Sequence, residues 1–491
     1  MGDSAVAREA LVSITGAPQG ASLEGALLRA DRTLEWLSGT LVSGGSPWRL
    51  FRLSDDGARL LGAWTDGERV QGDAASCSLA RRFVDAGLLH PTFAPRAPSA
   101  GDVDVVIPVR DDADRLRRVL SVLSSRRAPR VTVVDDGSVD GEAVAAVAAE
   151  HDATLIRRET PGGPGAARNT GFASTTAPFV AFIDADALPE SEWLDLLLSH
   201  FDDPAVAAVA PRVRGPAGAG ARERFEAAAS PLDLGPHPGV VRPGAAVAFV
   251  PGAALVLRRA AVVVPFDESL GVGEDVDLVW RLCEQGWLVR YEPDVVVTHA
   301  ARSTWHAWIA QRFSYGLSAA PLEARHGDAA APLRADPRVL GTLALVLAGR
   351  PRAALGLLSW SATSLATQLD GIATRGGSDA AARQIAARGT ALAAPGLARS
   401  AFRTYGPVLI AGAVVLSPLR RPVIVLTTAA TAVRWWRAGR PRDPITFAAM
   451  SLADDLAYGA GVLTGSVRAR RLGALRPRLR PATSTASISR T

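Results

Sequence analysis

Between residues 102 and 186 the apolar positions follow two alternating rhythms. Short apolar runs recur as DVVIPV (104–109), RVTVVDD (130–136), TLIRR (154–158) and APFVAFIDAD (177–186), with the length and β-branched content of buried strands. Between them stand DDADRLRRVLSVLSSR (111–126), GEAVAAVAAEH (141–151) and GPGAARNTGFAST (163–175), whose patterns are helical. Strands alternating with helices of this length predict a parallel sheet covered on both faces, hence an α/β fold. Ligands of such sheets lie beyond the carboxyl ends of the strands. Asp135, Asp136, Asp184 and Asp186 all fall there.

The flanking regions have different patterns. Residues 1–31 are Gly/Ala-rich and weakly patterned, so little structure is expected of them. In 32–95, LFRLSDDGARLLGAW (50–64) reads as a short strand and a helix that Ser54 can cap, and SLARRFVDAGLLHP (78–91) as a second amphipathic helix ended by Gly87. This is a winged-helix-like arrangement, joined to the alternating region by the Pro/Ala/Gly-rich linker 94–102. The α/β domain is expected over 102–320 and an Ala/Leu/Val-rich helical region over 336–467.

Two apolar runs in that helical region, 405–419 and 422–433, are split by Arg420-Arg421-Pro422. Neither has the roughly 18–20 residues that crossing a bilayer needs. Arg434, Trp435, Trp436 and Arg437 follow them as an interfacial anchor would. The pattern favours a peripheral or re-entrant contact with the membrane, with a buried helical hairpin as the alternative.

Composition changes the picture in three places. All 54 basic residues are Arg, a bias that weakens any reading of a single Arg as selected. Seven of them lie in 468–491 with no acid, which predicts a basic disordered tail, whereas 102–203 is rich in Asp. The net charge of +5 suggests an anionic partner, yet Arg is not concentrated on one helix as a DNA reader requires, so no nucleic acid is expected. Two distant cysteines, Cys77 and Cys283, indicate neither a disulfide framework nor a zinc site. With no secretory pattern at the start of the chain, a cytoplasmic location is expected, at the inner face of the cell membrane.

The candidate chemistry lies at the strand ends. Carboxylates at i and i+2, Asp184 and Asp186, can converge on one hard divalent cation whose other positions are filled by phosphate oxygens. His299, after the apolar run of VVVTHAARSTW (295–305), is a candidate third ligand. Asp135 and Asp136 can accept hydrogen bonds from a base or ribose. The Gly-rich loop of GGPGAARNTGFA (162–173) opens a helix carrying Arg168 and Asn169, a combination suited to phosphate, although its glycines are not spaced for a dinucleotide. In EDVDLVWRL (274–282), Glu274 and Asp275 open an amphipathic helix, where acids also suit the helix dipole.

The ordered set IPVRDD (107–112), VVDDGS (133–138), GAARN (165–169), IDAD (183–186) and GEDVDLVWRL (273–282) resembles the family 2 nucleotide-sugar glycosyltransferases of the GT-A fold, over about residues 102–315. The resemblance implies that Pro108, Asp112, Asp135 and Asp136 hold the nucleoside. It implies that Asp184 and Asp186 bind Mg²⁺ or Mn²⁺ bridging the diphosphate, and that Glu274 and Asp275 supply the base. The chemistry also asks for these parts, since growing charge on the leaving oxygen must be neutralised while a carboxylate takes the acceptor's proton. Two departures stand out: Arg110 occupies a position often aromatic in the family, and QRFSY (311–315) lacks the Q-x-x-R-W of processive synthases.

The 32–95 segment resembles PqqD-like modules that recognise leader peptides of ribosomally made natural products. Such a module, a family 2 transferase and an apolar C-terminal region together resemble the mycofactocin-cluster glycosyltransferases. That resemblance implies a UDP-glucose donor, a pre-mycofactocin-like acceptor, an inverting transfer that builds a β-linked oligoglucose chain, and a precursor peptide bound through 32–95. A family 2 enzyme acting on a lipid or cell-wall precursor is the alternative.

Overall fold

A computed structural model describes residues 22–123, 129–190, 192–370, 378–479 and 489–490. It divides into two compact units. The first contains the residues up to Leu34, Gly44–Trp48 and Asp56–Ala301; the second contains Glu35–Ser43, Arg49–Asp55 and the chain from Arg302 onward.

The first unit is organised by a nine-stranded sheet. Val103–Val109 lies third from one edge, paired in parallel with Arg130–Asp135 on one side and Phe179–Ile183 on the other; Thr154–Arg157 completes that edge in parallel. The apolar runs of Val103–Val109, Arg130–Asp135 and Phe179–Ile183 form strands here because both faces are covered, whereas Thr154–Arg157 is a half-exposed edge. Ala113–Leu123 presents Leu116, Val119, Leu120 and Leu123 to the core at helical spacing. Pro164–Ser174 packs on the sheet so closely that Gly171 leaves no room for a Cβ beside Val106. Phe182 is fully buried between Phe172 and Phe266, and truncating it to Ala costs about 3–5 kcal/mol by the usual cavity cost.

Past Phe179–Ile183 the sheet departs from the all-parallel expectation. Ala254–Arg258 pairs antiparallel with Phe179–Ile183 and with Val206–Arg214. The chain enters this strand through the turn at Pro251-Gly252, at the carboxyl end of its neighbour, rather than by a crossover helix. Leu288–His299 then runs parallel to Val206–Arg214 and receives Ala187–Pro189 and Gly239–Val241 antiparallel. The sheet is therefore mixed.

Residues 22–95 form two helices, Asp55–Thr65 and Ala74–Asp85, with short strands. Leu27–Ala30, in a stretch expected to be weakly structured, pairs antiparallel with Leu89–Thr92. Residues 1–21 lie outside the described residues. Within the first unit this segment is tied to the large sheet: Arg81 pairs with Asp203 at 2.8 Å, and Ser46 Oγ accepts the Ala246 N–H at 2.6 Å.

The second unit is helical. Trp305–Leu317 packs against Pro444–Arg468 where Gly316, Gly461 and Gly465 let the backbones touch, so this helix, expected within the α/β domain, belongs with the C-terminal helices. The two apolar runs fall on Ser378–Val415 and Ser417–Arg437, which break at Leu416; Arg420 caps the break by donating to the carbonyls of Ala413 (3.1 Å) and Val414 (3.3 Å). Among the described residues no helix is long and apolar enough to cross a membrane. The expected disordered tail carries order as far as Leu479, in Gly473–Leu475 and in Arg478–Leu479 paired with Arg334–Ala335, and Ser489–Arg490 pairs with Phe51 and Arg52. Residues 480–488 and 491 lie outside the described residues.

Candidate active site

Asp184 and Asp186 leave the sheet where Phe179–Ile183 ends. The turn between them is fixed by backbone bonds, with Asp184 N–H donating to Ala253 O and Ala187 N–H to Asp184 O, at 2.9 and 3.0 Å. Register places His299 directly opposite Ala187, and Ala300 N–H donates to Asp186 O at 2.9 Å. His299 Nε2 consequently lies 3.2 Å from Asp186 Oδ1. One ligand atom from each of Asp184, Asp186 and His299 lies within 4.8 Å of the others. Two carboxylates and an imidazole converging in this way fit a divalent cation with sites left for phosphate oxygens.

Arg168 joins this cluster to a second pair of acids. Its guanidinium is 3% exposed and donates through Nη2 to Asp184 at 2.6 Å and through Nη1 to Glu274 at 2.9 Å. It lies over the Phe266 ring, 5.3 Å from the centroid. Burial in place of water is opposed by Asp184 and Glu274, which together hold its pKa above the ordinary value. Asn169, next along the helix, pins the chain before Glu274: its amide donates to Phe266 O (2.7 Å) and Glu268 (3.0 Å) and accepts from Phe266 N–H (3.0 Å).

Glu274 and Asp275 occupy the first turn of Glu274–Glu284, entered through Gly273 at φ +90°, a conformation that favours glycine. Glu274 is buried. Burial and the neighbouring Asp275 raise its pKa to about 7, against the pull of Arg168. Asp275 is half-buried and accepts N–H bonds from Gly252 and Val276, both at 2.8 Å. Loss of hydration raises it too. Of the two, Asp275 is the more exposed carboxylate, and Glu274, at about 7, is poised to hold a proton near neutral pH.

Gly252 and Phe266 were not evident from the sequence. A Cβ on Gly252 would stand 3.2 Å from both Arg168 Nη1 and Asp275 Cβ, so any side chain there would press on both groups by a few tenths of an ångström. The Pro251-Gly252 dipeptide signals a turn, but nothing in it shows which groups the turn meets.

The residues expected at the nucleoside lie along the neighbouring strand ends. Pro108 is half-buried near the end of its strand, and Asp112 caps Ala113–Leu123 and pairs with Arg115 at 2.8 Å. Asp135 is fully buried, accepting from Ser138 N–H at 2.8 Å and from Arg157. Asp136 pairs with Arg158 at 2.8 Å and takes the N–H groups of Gly162 and Gly163. Those amides of the Gly-rich loop therefore already bond to a carboxylate, and Arg168 turns toward Asp184 and Glu274. Arg110 is exposed beside these strand ends.

The glycosyl transferase family 2 pattern matches residues 104–262. The pre-mycofactocin glycosyltransferase of Mycobacterium tuberculosis, in strains CDC 1551 and H37Rv, is 40% identical over 486 residues, covering 93% of this chain and 98% of its own length. Glycosyltransferase AglE of Haloferax volcanii is 30% identical over 212 residues, 41% of this chain and 67% of that protein. Among solved structures, a Pyrobaculum calidifontis mannosyltransferase in complex with GDP-Man and Mn²⁺ matches at 20% identity and a TM-score of 0.38, over 73% of this chain and 92% of that one. With identity running through nearly the whole of the Mycobacterium tuberculosis protein, this chain belongs to glycosyl transferase family 2, with the pre-mycofactocin glycosyltransferases, and is an enzyme that uses a nucleotide-sugar donor.

Proposed function

We propose that the enzyme transfers glucose from UDP-glucose to the peptide-derived redox cofactor pre-mycofactocin, with inversion at the anomeric carbon, and builds a β-linked oligoglucose chain. The kinship in length and identity with a protein named for this acceptor supports the choice. The observation that carries the chemistry is the convergence of Asp184, Asp186 and His299 beside the Arg168–Glu274 pair.

In this reading Asp184, Asp186 and His299 hold Mg²⁺ or Mn²⁺, which when bound supplies positive charge to the donor's diphosphate. Pro108, Asp112, Asp135 and Asp136 shape the nucleoside end, the two buried acids by fixing the loops around it. Arg168 holds the Asp184 carboxylate in place through its 2.6 Å hydrogen bond. Asp275 takes the proton of the attacking acceptor hydroxyl, a role that suits a carboxylate whose pKa is raised and whose orientation is fixed by two amides. Glu274, held by Arg168, keeps the first helical turn in place, and the neighbouring Asp275 opposes its ionisation. The segment 32–95 binds the precursor peptide.

The direct test is mass spectrometry of pre-mycofactocin incubated with the purified enzyme, UDP-glucose and Mg²⁺ or Mn²⁺. Successive hexose additions that stop with chelator are expected. Donor hydrolysis with an untouched acceptor would remove the acceptor assignment and leave the site.

A second reading, action on a lipid or cell-wall precursor at the cytoplasmic membrane face, is favoured by one surface. At the break between the two C-terminal helices, Val414, Val415, Ile424 and Val425 are 70, 78, 63 and 51% exposed beside Arg420 and Arg421. Apolar side chains ringed by Arg suit the surface of an anionic membrane. Loss of vesicle binding in Val415→Ser/Ile424→Ser would support this contact, and unchanged binding would dismiss it.

A further inference from the structure

The loop 242–252 joins the N-terminal segment to the carboxylates of the site, all within the first unit. Its near end meets one corner of that segment. Arg242 donates through Nη2 to Asp85 O, where Ala74–Asp85 ends, and Ala246 N–H donates to Ser46 Oγ at 2.6 Å. Ser46 N–H in turn donates to Ala86 O at 3.0 Å, so both tethers belong to one hydrogen-bonded corner. The loop is closed on itself there: Ala245 N–H donates to Arg242 O at 3.0 Å and Arg242 N–H to Val247 O at 3.2 Å.

The far end of the loop meets the site. Val247, Val250, Pro251 and Gly252 are buried. Trp280, on the helix Glu274–Glu284, donates through Nε1 to Ala248 O at 2.8 Å. Gly252 N–H then donates to Asp275 at 2.8 Å, and Ala253 O accepts the Asp184 N–H at 2.9 Å. One loop therefore orients Asp275 and holds the backbone of Asp184, while its other end is held by Ser46, 200 residues before Ala246 in the chain. A carboxylate that must reach a reacting hydroxyl loses rate steeply when it is misplaced. An amide bonded to it also favours its charged form, so slackening the loop raises its pKa. The charged groups facing Asp275 are Arg168 and Glu274.

We propose that Ser46, Arg242 and Trp280 are positioning residues for glycosyl transfer: through the loop 242–252 they hold the Gly252 amide on Asp275, so the N-terminal segment braces the carboxylate that takes the acceptor's proton. This rests on the reading of Asp275 as the base. The segment then has a part in the chemistry that is separate from any peptide it binds.

The test uses the full chain with UDP-glucose and pre-mycofactocin, reading kcat across pH, KM for the donor and the melting temperature. Ser46→Ala/Arg242→Met is expected to lower kcat at least about tenfold, to leave the donor KM unchanged and to move the acid limb of kcat to higher pH. Ser46→Thr, which keeps the acceptor oxygen, is expected to retain the wild-type values. Trp280→Phe, which keeps an aromatic ring and loses the N–H, is expected to shift kcat and the limb in the same direction as the double variant. A segment that merely packs on the loop would lower the melting temperature and leave both untouched. Wild-type kcat and acid limb in Ser46→Ala/Arg242→Met overturn the brace, and the same result in Trp280→Phe does so where the double variant fails to fold. Asp275→Asn separates this from the reading beneath it. Transfer retained by Asp275→Asn removes the base and the brace with it, whereas transfer lost there beside wild-type kinetics in the double variant removes the brace alone.

Discussion

Arg168 donates to Asp184 at 2.6 Å, and its other nitrogen donates to Glu274 at 2.9 Å, so one buried cation spans the two acidic groups of the site. Ion pairs at this depth are costly to break, because the remaining carboxylates stay buried without a counter-charge. Arg168→Ala is therefore expected to lower stability by about 3–5 kcal/mol and to abolish transfer. Arg168→Lys keeps the charge, but a single ammonium cannot reproduce the fork, and it is expected to recover folding without full activity. Denaturant melts and a transfer assay separate the two effects.

Asp186 and His299 make a different prediction. Their mutual distance of 3.2 Å is set by the pairing of Ala187 with His299, so removing either side chain leaves the ladder in place. His299→Ala and Asp186→Ala are expected to stay folded and to weaken Mn²⁺ binding by on the order of 10–100-fold or more. Calorimetric titration of Mn²⁺ in the presence of UDP measures this directly. Unchanged affinity would remove that residue from the ligand set.

Protonation of Glu274 should be visible in stability. Its folded-state pKa of about 7 lies above its ordinary value of 4.5. A raised pKa contributes stability that is complete below the ordinary value and is lost as pH rises through the folded value. Asp275 is shifted in the same direction. The melting temperature of the metal-free protein should fall between about pH 4.5 and 7 through this contribution, and Glu274→Gln should remove the Glu274 part of that slope. A slope identical in the variant would contradict the assignment.

Gly252 tests whether the arrangement is tight. Its Cβ position is 3.2 Å from both Arg168 and Asp275, groups that cannot both retreat without losing their bonds. Gly252→Ala is expected to reduce kcat at least about tenfold, as a small displacement of a reacting group does, with a modest change in melting temperature. Full activity would show that the pocket yields.

Much of this was legible in the chain, and the limits have physical causes. The runs from Val103 to Ile183 gave their strands because each is bounded by turns and all but the half-exposed edge strand Thr154–Arg157 are largely buried. Asp184 and Asp186 stood out as charges beyond a strand end. The antiparallel Ala254–Arg258 was not legible, because a buried run looks the same whichever way it enters the sheet. Arg168 was read toward phosphate from its place in a helix, but its partner Glu274 lies 106 residues away, a contact no local pattern reports. Asp136 bonding to Gly162 and Gly163 is of the same kind. At the C-terminal end, apolar composition could not separate helices that pack on one another from a surface left open, and the structure contains both.

In the proposed mechanism Asp275 takes the acceptor's proton while the donor is held by other residues. The most direct test compares wild type and Asp275→Asn by mass spectrometry of pre-mycofactocin with UDP-glucose and metal, alongside UDP-glucose binding. The variant is expected to bind donor as the wild type does and to add no hexose. Hexose addition by the variant at the wild-type rate would contradict it.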